Sequence, residues 1–296
     1  MREFVLREPI EKGWSADRKY RVEDVEGQSY LLRVTTGERA ATRRPLFALQ
    51  RRLAGMGVPM CAPLELDEDG EGARVLYEWI DGQDAEDVLP RLSAARQYRY
   101  GHAAGEILRT IHSIPAPEDL PDWEGRFNAK IDRKLRAYRE CPVRFPGDEA
   151  VIACIEAKRA LLRGRPQTFQ HGDYHTGNMM LDRAGRLVVI DFDRYDFGDP
   201  WEEFNRIVWC AQLAPPFAGG MVEGYFGGEP PRAFWELLAL YIGVNALSAL
   251  PWALPFGEGE VRVMLRQAAD ILSWYDGMQK VVPGWYAPGG ACEKPM

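Results

Sequence analysis

The segment from His171 to Asp193, HGDYHTGNMMLDRAGRLVVIDFD, constrains this chain more than any other part of it. It places Asn178 five residues after Asp173, with a glycine between them that eases a turn, so one loop can present both side chains. The apolar run LVVI predicts a buried strand, and Asp191 follows that strand directly. We therefore expect the Asp191 carboxylate to emerge at a strand end beside the loop.

These three side chains suit phosphoryl transfer. The Asp173 carboxylate can meet an acceptor hydroxyl, whereas the Asn178 amide and the Asp191 carboxylate offer the oxygen ligands that magnesium prefers. A metal held by few protein groups keeps positions open for nucleotide phosphates. The same letters are also compatible with an ordinary polar turn in which His171 and His175 are satisfied by local hydrogen bonds.

The motif resembles the catalytic loop of the aminoglycoside phosphotransferase and choline kinase group of small-molecule kinases. In that group the loop has the form H-G-D-x-x-x-x-N and precedes a strand that ends in I-D. The matching residues are His171, Gly172, Asp173 and Asn178, then Ile190 and Asp191. The resemblance implies a catalytic base at Asp173 and magnesium ligands at Asn178 and Asp191. It also implies an α+β, bilobal protein-kinase-like fold with a small antiparallel-sheet N-lobe and a large helical C-lobe.

The N-terminal part of the chain is rich in predicted strands. Segments around Val5, from Lys19 to Glu23 and from Ser29 to Val34 alternate or run apolar between turns, which predicts three antiparallel strands. By the resemblance, residues 1–80 form a nucleotide-binding lobe. Residues 81–296 then form the helical lobe, with the catalytic loop and the acceptor site.

The first turn of this lobe is a candidate phosphate cradle. Successive N–H groups of Gly13, Trp14 and Ser15 can attract anions. Taken alone, a single glycine in a hairpin is usually no more than a hairpin residue. The turn gains weight because it lies where the resembled kinases place their phosphate-covering loop.

The chain departs from the family pattern at two positions. Arg33 stands where these kinases usually carry a phosphate-binding lysine, although a guanidinium can also bridge phosphate oxygens. In the helix predicted over about residues 40–54, Leu46 occupies the position where the family expects a glutamate that pairs with that cation. Arg33 therefore finds its partner elsewhere, or is held differently from the family pattern.

The segment RVLYEWIDGQD predicts a strand that enters a glycine-containing turn. By the resemblance it is the hinge, where backbone groups near Glu78, Trp79 and Ile80 hydrogen-bond a purine base. Because backbone recognition leaves no side-chain pattern, the sequence does not distinguish ATP from GTP. The residues alone are equally compatible with a strand that ends in a loop.

An acidic cluster follows Asp191 and suggests the chemistry of the acceptor. We expect Asp193, Asp196 and Glu202 to meet a cationic acceptor, with Asp199 anchoring their loop through backbone hydrogen bonds. An aminoglycoside or a similar cationic antibiotic is the first hypothesis. A choline-like amino alcohol is the second, and a macrolide the third. An alternative from a different class is a nucleotide-binding pseudokinase, which the departures at positions 33 and 46 support, although the three residues of the loop motif are intact.

Composition narrows the remaining possibilities. The chain has 296 residues and a net charge of −7, without a basic run, which argues against a nucleic acid partner. The acidic balance favours cationic ligands, or serves solubility alone. Five scattered cysteines without a C-x-x-C spacing and a charged N-terminus predict a cytoplasmic protein with reduced thiols. We expect a monomer or a dimer.

The stretch from Leu237 to Phe256 is long and apolar enough to span a bilayer. The polar Asn245 and two prolines, Pro251 and Pro255, argue against a membrane span. We therefore expect a buried helix of a large helical lobe and no association with a membrane.

Overall fold

A computed structural model describes residues 2–11, 17–69 and 72–289 of the chain. The predicted phosphate cradle of Gly13, Trp14 and Ser15 lies outside these described residues. The chain forms two compact units, the first from Met1–Ala85 and Gly177–Asp193 and the second from Glu86–Thr176 and Arg194–Met296. The sequence-based division at residue 80 assigns Gly177–Asp193 to the C-terminal part, whereas in the structure this segment belongs with the first unit.

The first unit contains a five-stranded antiparallel sheet of order β1-β2-β3-β5-β4. Its strands are β1 (Phe4–Ile10), β2 (Arg18–Asp24), β3 (Ser29–Thr36), β4 (Pro63–Asp69) and β5 (Gly72–Glu78). The three strands predicted from the sequence are confirmed as β1, β2 and β3, and β4 and β5 complete the sheet.

Both faces of this sheet carry apolar clusters, because successive side chains of a strand point to opposite faces. Leu32 of β3 packs with Val22 of β2 in one cluster. Leu31 packs with Val75 of β5 in another. Arg33 lies two residues beyond Leu31, so the β3 alternation places the guanidinium on the face of this second cluster.

The helix predicted over about residues 40–54 is present, preceded by a turn of 3-10 helix. The 3-10 segment spans Gly37–Thr42 and is followed by α1 (Arg43–Gly55). Leu46 is 2% exposed, and the first turn of α1 has no acidic side chain. Arg43 begins the helix instead, also 2% exposed, so a buried cation stands near the position where the resembled family carries a glutamate.

Five shorter strands build two further sheets. They are β6 (Gly82–Asp84), β7 (Thr168–Gln170), β8 (Met179–Asp182), β9 (Leu187–Val189) and β10 (Asp196–Gly198). In the first unit they pair in the order β6-β8-β9, and in the second unit β7 pairs with β10. The buried strand predicted before Asp191 is confirmed as β9, whose three residues are all buried.

The second unit is mainly helical. Its helices are α2 (Ala85–Val88), α3 (Ala94–Ile111), α4 (Trp123–Glu140), α5 (Asp148–Lys158), α6 (Ile207–Leu213), α7 (Pro215–Phe226), α8 (Arg232–Ala253) and α9 (Glu258–Trp274). On α4, Phe127, Ile131 and Leu135 recur at a spacing of one helical turn and are buried in one cluster with Leu240 and Tyr241 of α8. Short 3-10 segments span Leu89–Arg91, Arg159–Leu162, Thr176–Asn178, Glu202–Arg206 and Leu254–Phe256.

Helices α3 and α7 approach each other backbone to backbone. A Cβ on Gly101 of α3 would lie 2.0 Å from the Phe217 carbonyl oxygen, and one on Gly220 of α7 would lie 2.2 Å from the Tyr98 carbonyl oxygen. No real Cβ tolerates such distances, so this interface requires glycine at both positions.

The long apolar stretch is helix α8 with the 3-10 turn after it. Among the described residues, the helical segment Arg232–Phe256 alone is long and apolar enough to cross a membrane, and 67% of its apolar window is buried inside the protein. Pro251 lies within the helix. This burial agrees with the expectation of a core helix.

Candidate active site

Glycine and a buried glutamate hold the loop that carries Asp173. Gly172 has a φ of +86°, and a Cβ there would lie 1.8 Å from the Arg194 carbonyl oxygen, so no larger residue fits. The Gly172 N–H donates to both carboxylate oxygens of Glu203, at 3.0 and 3.1 Å. The hydroxyl of the next aromatic residue, Tyr174, donates to the Ala104 carbonyl at 2.7 Å. Backbone and side chains thus fix this turn within the second unit.

Asp173 lies in a cationic environment. One of its carboxylate oxygens is 3.1 Å from Arg206 Nε and 3.6 Å from His175 Nε2, and the other is 3.8 Å from Arg194 Nε. Burial by itself raises the pKa of Asp173, but the His175 hydrogen bond and the charges of Arg206 and Arg194 outweigh it and hold the pKa well below its usual range. The side chain is therefore an ionised carboxylate at neutral pH.

Asn178 and Asp191 come together at one end of the hairpin formed by β8 and β9. Asn178 precedes β8, Asp191 lies just beyond β9, and the Ile190 N–H donates to the Asn178 carbonyl at 3.0 Å. Asp191 has a φ of +63°, a left-handed conformation that aspartate tolerates better than most residues. The sequence-based expectation that Asp191 emerges at a strand end is confirmed.

The pair offers two oxygen donors, one amide and one carboxylate, which fit a hard divalent cation. Within the described residues, no group of three or more His, Cys, Asp or Glu side chains is arranged to hold a metal ion. A cation bound by Asn178 and Asp191 would therefore take its remaining ligands from phosphate oxygens or water.

Arg33 is surrounded by carboxylates of its own unit. Its Nε donates to Asp17 at 2.7 Å, its Nη1 donates to Asp191 at 3.3 Å, and its Nη2 contacts Asp193. Arg43 donates to Asp17 and Asp193, each at 2.6 Å. The question left open by the sequence is thus answered: among the described residues, the partners of Arg33 include three aspartates from outside α1.

One cavity of the first unit gathers the residues expected to bind nucleotide. Its volume is about 310 Å³. The lining includes the predicted residues Arg33, Glu78, Trp79, Ile80, Asn178 and Asp191, and also Lys19, which the sequence analysis did not single out. The candidate metal ligands and the residues expected at the hinge therefore line one cavity.

The backbone of Glu78, a lining residue of this cavity, is already engaged in hydrogen bonds. Its N–H donates to the Ala62 carbonyl at 2.9 Å, and its carbonyl accepts the Cys61 thiol at 3.1 Å. Burial raises the pKa of Cys61 to about 12, so this thiol stays protonated and able to donate. Of the three residues expected to bind a base, Glu78 thus has its backbone groups engaged, which leaves Trp79 and Ile80 as the candidates.

The three acidic residues expected to meet a cationic acceptor have cationic partners of their own. Asp193 contacts Arg33 and Arg43. Burial alone would raise the pKa of Asp193, but the positive charges of the two arginines outweigh burial, so the pKa lies below its usual value. Asp196 is more exposed and lies 3.5 Å from an Arg126 nitrogen. Asp193 is therefore already paired with two arginines, and a role of these three carboxylates in binding the acceptor stays a prediction.

Glu202 is also paired, and its neighbours form a basic cluster. Lys130 Nζ lies 3.0 Å from the Glu202 carboxylate. Lys134, one helical turn further along α4, has its pKa lowered to about 7, mainly by burial and then by the charge of Lys130, while Glu202 opposes the shift. Arg206, which contacts Asp173, also contributes to this lowering. The surroundings of Asp173 and Glu202 in the second unit are therefore more cationic than the acidic cluster in the sequence suggests.

Asp199 anchors its loop, as expected, but with a further partner. Its carboxylate accepts the Trp201 N–H at 3.0 Å and the Tyr241 hydroxyl at 2.6 Å. Arg165 adds a bidentate pair with two distances of 2.7 Å. The sequence carries no local signal for this pair, since the two side chains are 34 residues apart.

The profile of one protein family matches most of the chain. The match covers residues 7–235 and is to the phosphotransferase enzyme family, APH. The chain belongs to this family. It is accordingly assigned to the phosphotransferases, and its sheet unit and helical unit agree with the predicted α+β class. None of the curated protein sequences compared with the chain matches it.

Solved structures with a similar fold include several small-molecule kinases of the same broad group. A thermostable mutant of aminoglycoside phosphotransferase APH(4)-Ia, in ternary complex with ADP and hygromycin B, has a TM-score of 0.63 at 18% identity, over 91% of this chain and 94% of that one. A choline/ethanolamine kinase family protein from Mesorhizobium loti has a TM-score of 0.64 at 18% identity, over 93% and 91%.

A third similar structure is amicoumacin kinase hAmiN in complex with AMP-PNP, Ca²⁺ and Ami. Its TM-score is 0.64 at 14% identity, over 93% of this chain and 90% of that one. At these identities the likeness establishes the fold, which is protein-kinase-like, and leaves the acceptor of this chain open.

Proposed function

We propose that the protein moves the γ-phosphoryl group of ATP or GTP, bound with magnesium, to a hydroxyl group of a small molecule. The observation that carries this proposal is the cavity that Asn178 and Asp191 line together with Trp79 and Ile80, in a chain of the APH family. Nucleotides and a divalent cation are also present in the similar structures.

In this mechanism Asp173 orients the acceptor hydroxyl. Its low pKa makes the carboxylate a weak base, so its main contribution is to position the hydroxyl and to accept the proton as transfer proceeds. Arg206 and Arg194 keep it ionised. Gly172 and Glu203 hold the loop in the geometry that presents the carboxylate.

Asn178 and Asp191 are the residues that would hold magnesium. When bound, the metal neutralises charge on the phosphoryl group in transit. The two side chains occupy one end of the β8–β9 hairpin, so the sheet fixes their separation without help from the ligand.

The first candidate acceptor is an aminoglycoside-type antibiotic, with a choline-like amino alcohol or a macrolide as alternatives. The similar structures support antibiotics and amino alcohols, because they include an aminoglycoside phosphotransferase, an amicoumacin kinase and a choline/ethanolamine kinase family protein. Asp196, the most exposed of the three predicted acidic residues, is the one best able to meet an amino group.

A specific observation favours a second candidate, an acceptor that carries a carboxylate or phosphate group. Near Asp173 and Glu202, the cations Arg194, Arg206, Lys130 and Lys134 outnumber the two carboxylates. An anionic group on the acceptor would balance this charge and restore the charged form of the lysine whose pKa is lowered.

Mass spectrometry of an acceptor panel tests the proposal. Enzyme, magnesium and ATP or GTP are incubated with aminoglycosides, amino alcohols, macrolides and hydroxy acids, and gain of one phosphoryl group is measured. Asp173→Asn is expected to lower turnover at least about 10²-fold with nucleotide binding retained. Asp119→Asn, at an exposed position, is the matched control.

The outcomes separate the two classes of function. A phosphorylated product identifies the acceptor and the preferred nucleotide together. Near-normal turnover of Asp173→Asn would contradict the assigned base. No product from any acceptor, together with nucleotide binding that ignores magnesium, would support the nucleotide-binding pseudokinase instead.

A further inference from the structure

The guanidinium group of Arg33 on β3 forms ion pairs with carboxylates. Arg33 is buried, with a side chain 6% exposed, and it contacts Asp17, Asp191 and Asp193. Burial works to lower its pKa, but the charges of Asp193 and Asp191 outweigh burial and raise the pKa above its usual range. The positive charge of Arg33 is thus neutralised by aspartates of the folded protein.

Among the described residues, the arginines around Arg33 are matched in number by the aspartates that they contact. Arg39 and Arg43 share two of the same aspartates, so three guanidinium groups face three carboxylates. A nucleotide triphosphate would have to compete with these aspartates for Arg33. Such a competition would leave a buried carboxylate with less of its compensating positive charge.

A second cation lies on the next strand. Lys19 of β2 is directly opposite Arg33 of β3 in the antiparallel register. Directly opposed residues point to the same face of a sheet, with Cβ atoms about 4.5–5.5 Å apart. Lys19 accordingly lines the same cavity as Asn178 and Asp191.

The electrostatics of Lys19 differ from those of Arg33. Burial lowers the pKa of Lys19, Asp191 opposes this effect, and the charge of Arg33 adds to it. Its position is therefore one where an arriving phosphate would favour the ammonium form. The ammonium group is a compact charge on a flexible stem, able to follow phosphate oxygens.

We propose that Lys19, and not Arg33, is the side chain that binds the nucleotide phosphates in this protein. This inference rests on the proposed phosphotransferase function, since it deepens the nucleotide site. Arg33 then acts as a positioning residue that holds Asp191. The phosphate-binding cation lies on β2, one strand away from the β3 position where the resembled kinases carry theirs.

The test compares binding of two probes by calorimetry in the presence of magnesium: AMP-PNP, which has the triphosphate, and adenosine, which lacks it. Lys19→Met is expected to weaken AMP-PNP binding about tenfold or more, as loss of a charge-assisted contact does. Adenosine binding should change less than about twofold, since the base contacts remain. Lys19→Arg should recover most of the AMP-PNP affinity.

Arg18→Met is the matched control, because Arg18 is an exposed cation on the same strand, one residue from Lys19. It should leave both affinities near wild type. Lys19→Gln provides a second variant if Lys19→Met does not fold. Unchanged AMP-PNP affinity in a folded Lys19 variant, or an equal loss for adenosine, would overturn the proposal.

Failure of the proposed function is distinguishable from failure of this inference. If wild type binds AMP-PNP more tightly than adenosine and Lys19→Met removes the difference, Lys19 is established as the phosphate contact even if no acceptor is phosphorylated. If wild type shows no preference for AMP-PNP over adenosine, Lys19 binds no phosphate and the inference is wrong.

Discussion

At the residue scale, the partners of a side chain decide its role more than its type does. Arg33 occupies a position that usually serves phosphate binding, yet its contacts with Asp17 and Asp193 make it part of a buried ion network. Replacing one member of such a network leaves other charges buried without compensation, which destabilises more than the intact network stabilises.

We therefore predict that Arg33→Met lowers the free energy of unfolding by about 3 kcal/mol, the low end of the range for a buried pair because Arg43 still contacts both aspartates. Urea unfolding measures the change. Arg18→Met, at an exposed position of β2, should stay within about 0.5 kcal/mol of wild type. Equal midpoints for the two variants would contradict the prediction.

Lys134 gives a prediction about how stability depends on pH. Burial lowers the pKa of Lys134 in the folded protein to about 7, below the ordinary lysine pKa of 10.5. Between these values the unfolded chain binds a proton that the folded chain lacks, so the Lys134 contribution to the free energy of unfolding rises with pH. Below pH 7 Lys134 is protonated in both the folded and the unfolded chain, and burial of its charge then lowers the free energy of unfolding by the full amount.

Near pH 6 the free energy of unfolding of Lys134→Met should thus exceed that of wild type by about 1–2 kcal/mol. This value is smaller than the pKa shift alone would give, because water partly screens the half-buried ammonium group. The advantage should shrink steadily from pH 7 towards pH 10.5. Unfolding curves at several pH values measure it, with Lys280→Met at an exposed lysine as the control. A constant difference across this range would rule out titration of Lys134 as the cause.

At the scale of elements, the α3–α7 pair shows how glycine sets a distance between helices. Gly220 of α7 faces the α3 backbone, whereas the neighbouring Gly219 has its closest atom, the Ala287 carbonyl oxygen, at 3.8 Å. Two adjacent glycines of one helix thus have opposite packing environments, and the same substitution should affect them oppositely.

Gly219→Ala is expected to stabilise the protein by about 0.5–1 kcal/mol, because alanine favours the helix and its methyl group meets only ordinary contacts. Gly220→Ala should destabilise it by about 2 kcal/mol or more, since its Cβ would overlap the Tyr98 carbonyl oxygen. Thermal unfolding of both variants measures the contrast. Similar shifts in the two would show that α3 and α7 do not pack closely.

At the scale of the whole molecule, a ligand that binds the folded chain raises its stability by mass action. Nucleotide at about 100 times its Kd should add about 2.7 kcal/mol to the free energy of unfolding. If Asn178 and Asp191 bind magnesium beside the phosphates, most of this gain should require the metal.

We predict that ATP or GTP raises the melting temperature in magnesium, that EDTA removes most of the increase, and that Asn178→Ala behaves in magnesium as wild type does in EDTA. Adenosine serves as the control, because without phosphates its effect should not depend on the metal. A nucleotide-induced shift that is the same with and without EDTA would contradict the assigned ligands.

The sequence determined the features that depend on short spacing. Asp173, Asn178 and Asp191 stand close together in the chain, so local turns and one hairpin were enough to predict where they lie within their own elements. The first three strands and the buried helix α8 likewise follow from hydrophobic periodicity and length, which neighbouring residues control.

Tertiary structure alone decided which distant charges meet. Arg33 and Asp191 are 158 residues apart, and Arg165 and Asp199 are 34 apart, so no local pattern relates them. The register of β2 on β3, which places Lys19 opposite Arg33, depends on backbone pairing across a turn. Ion pairing and burial act through space, whereas periodicity acts along the chain. This is why the sequence indicated the loop that carries Asp173 but not the cations around it.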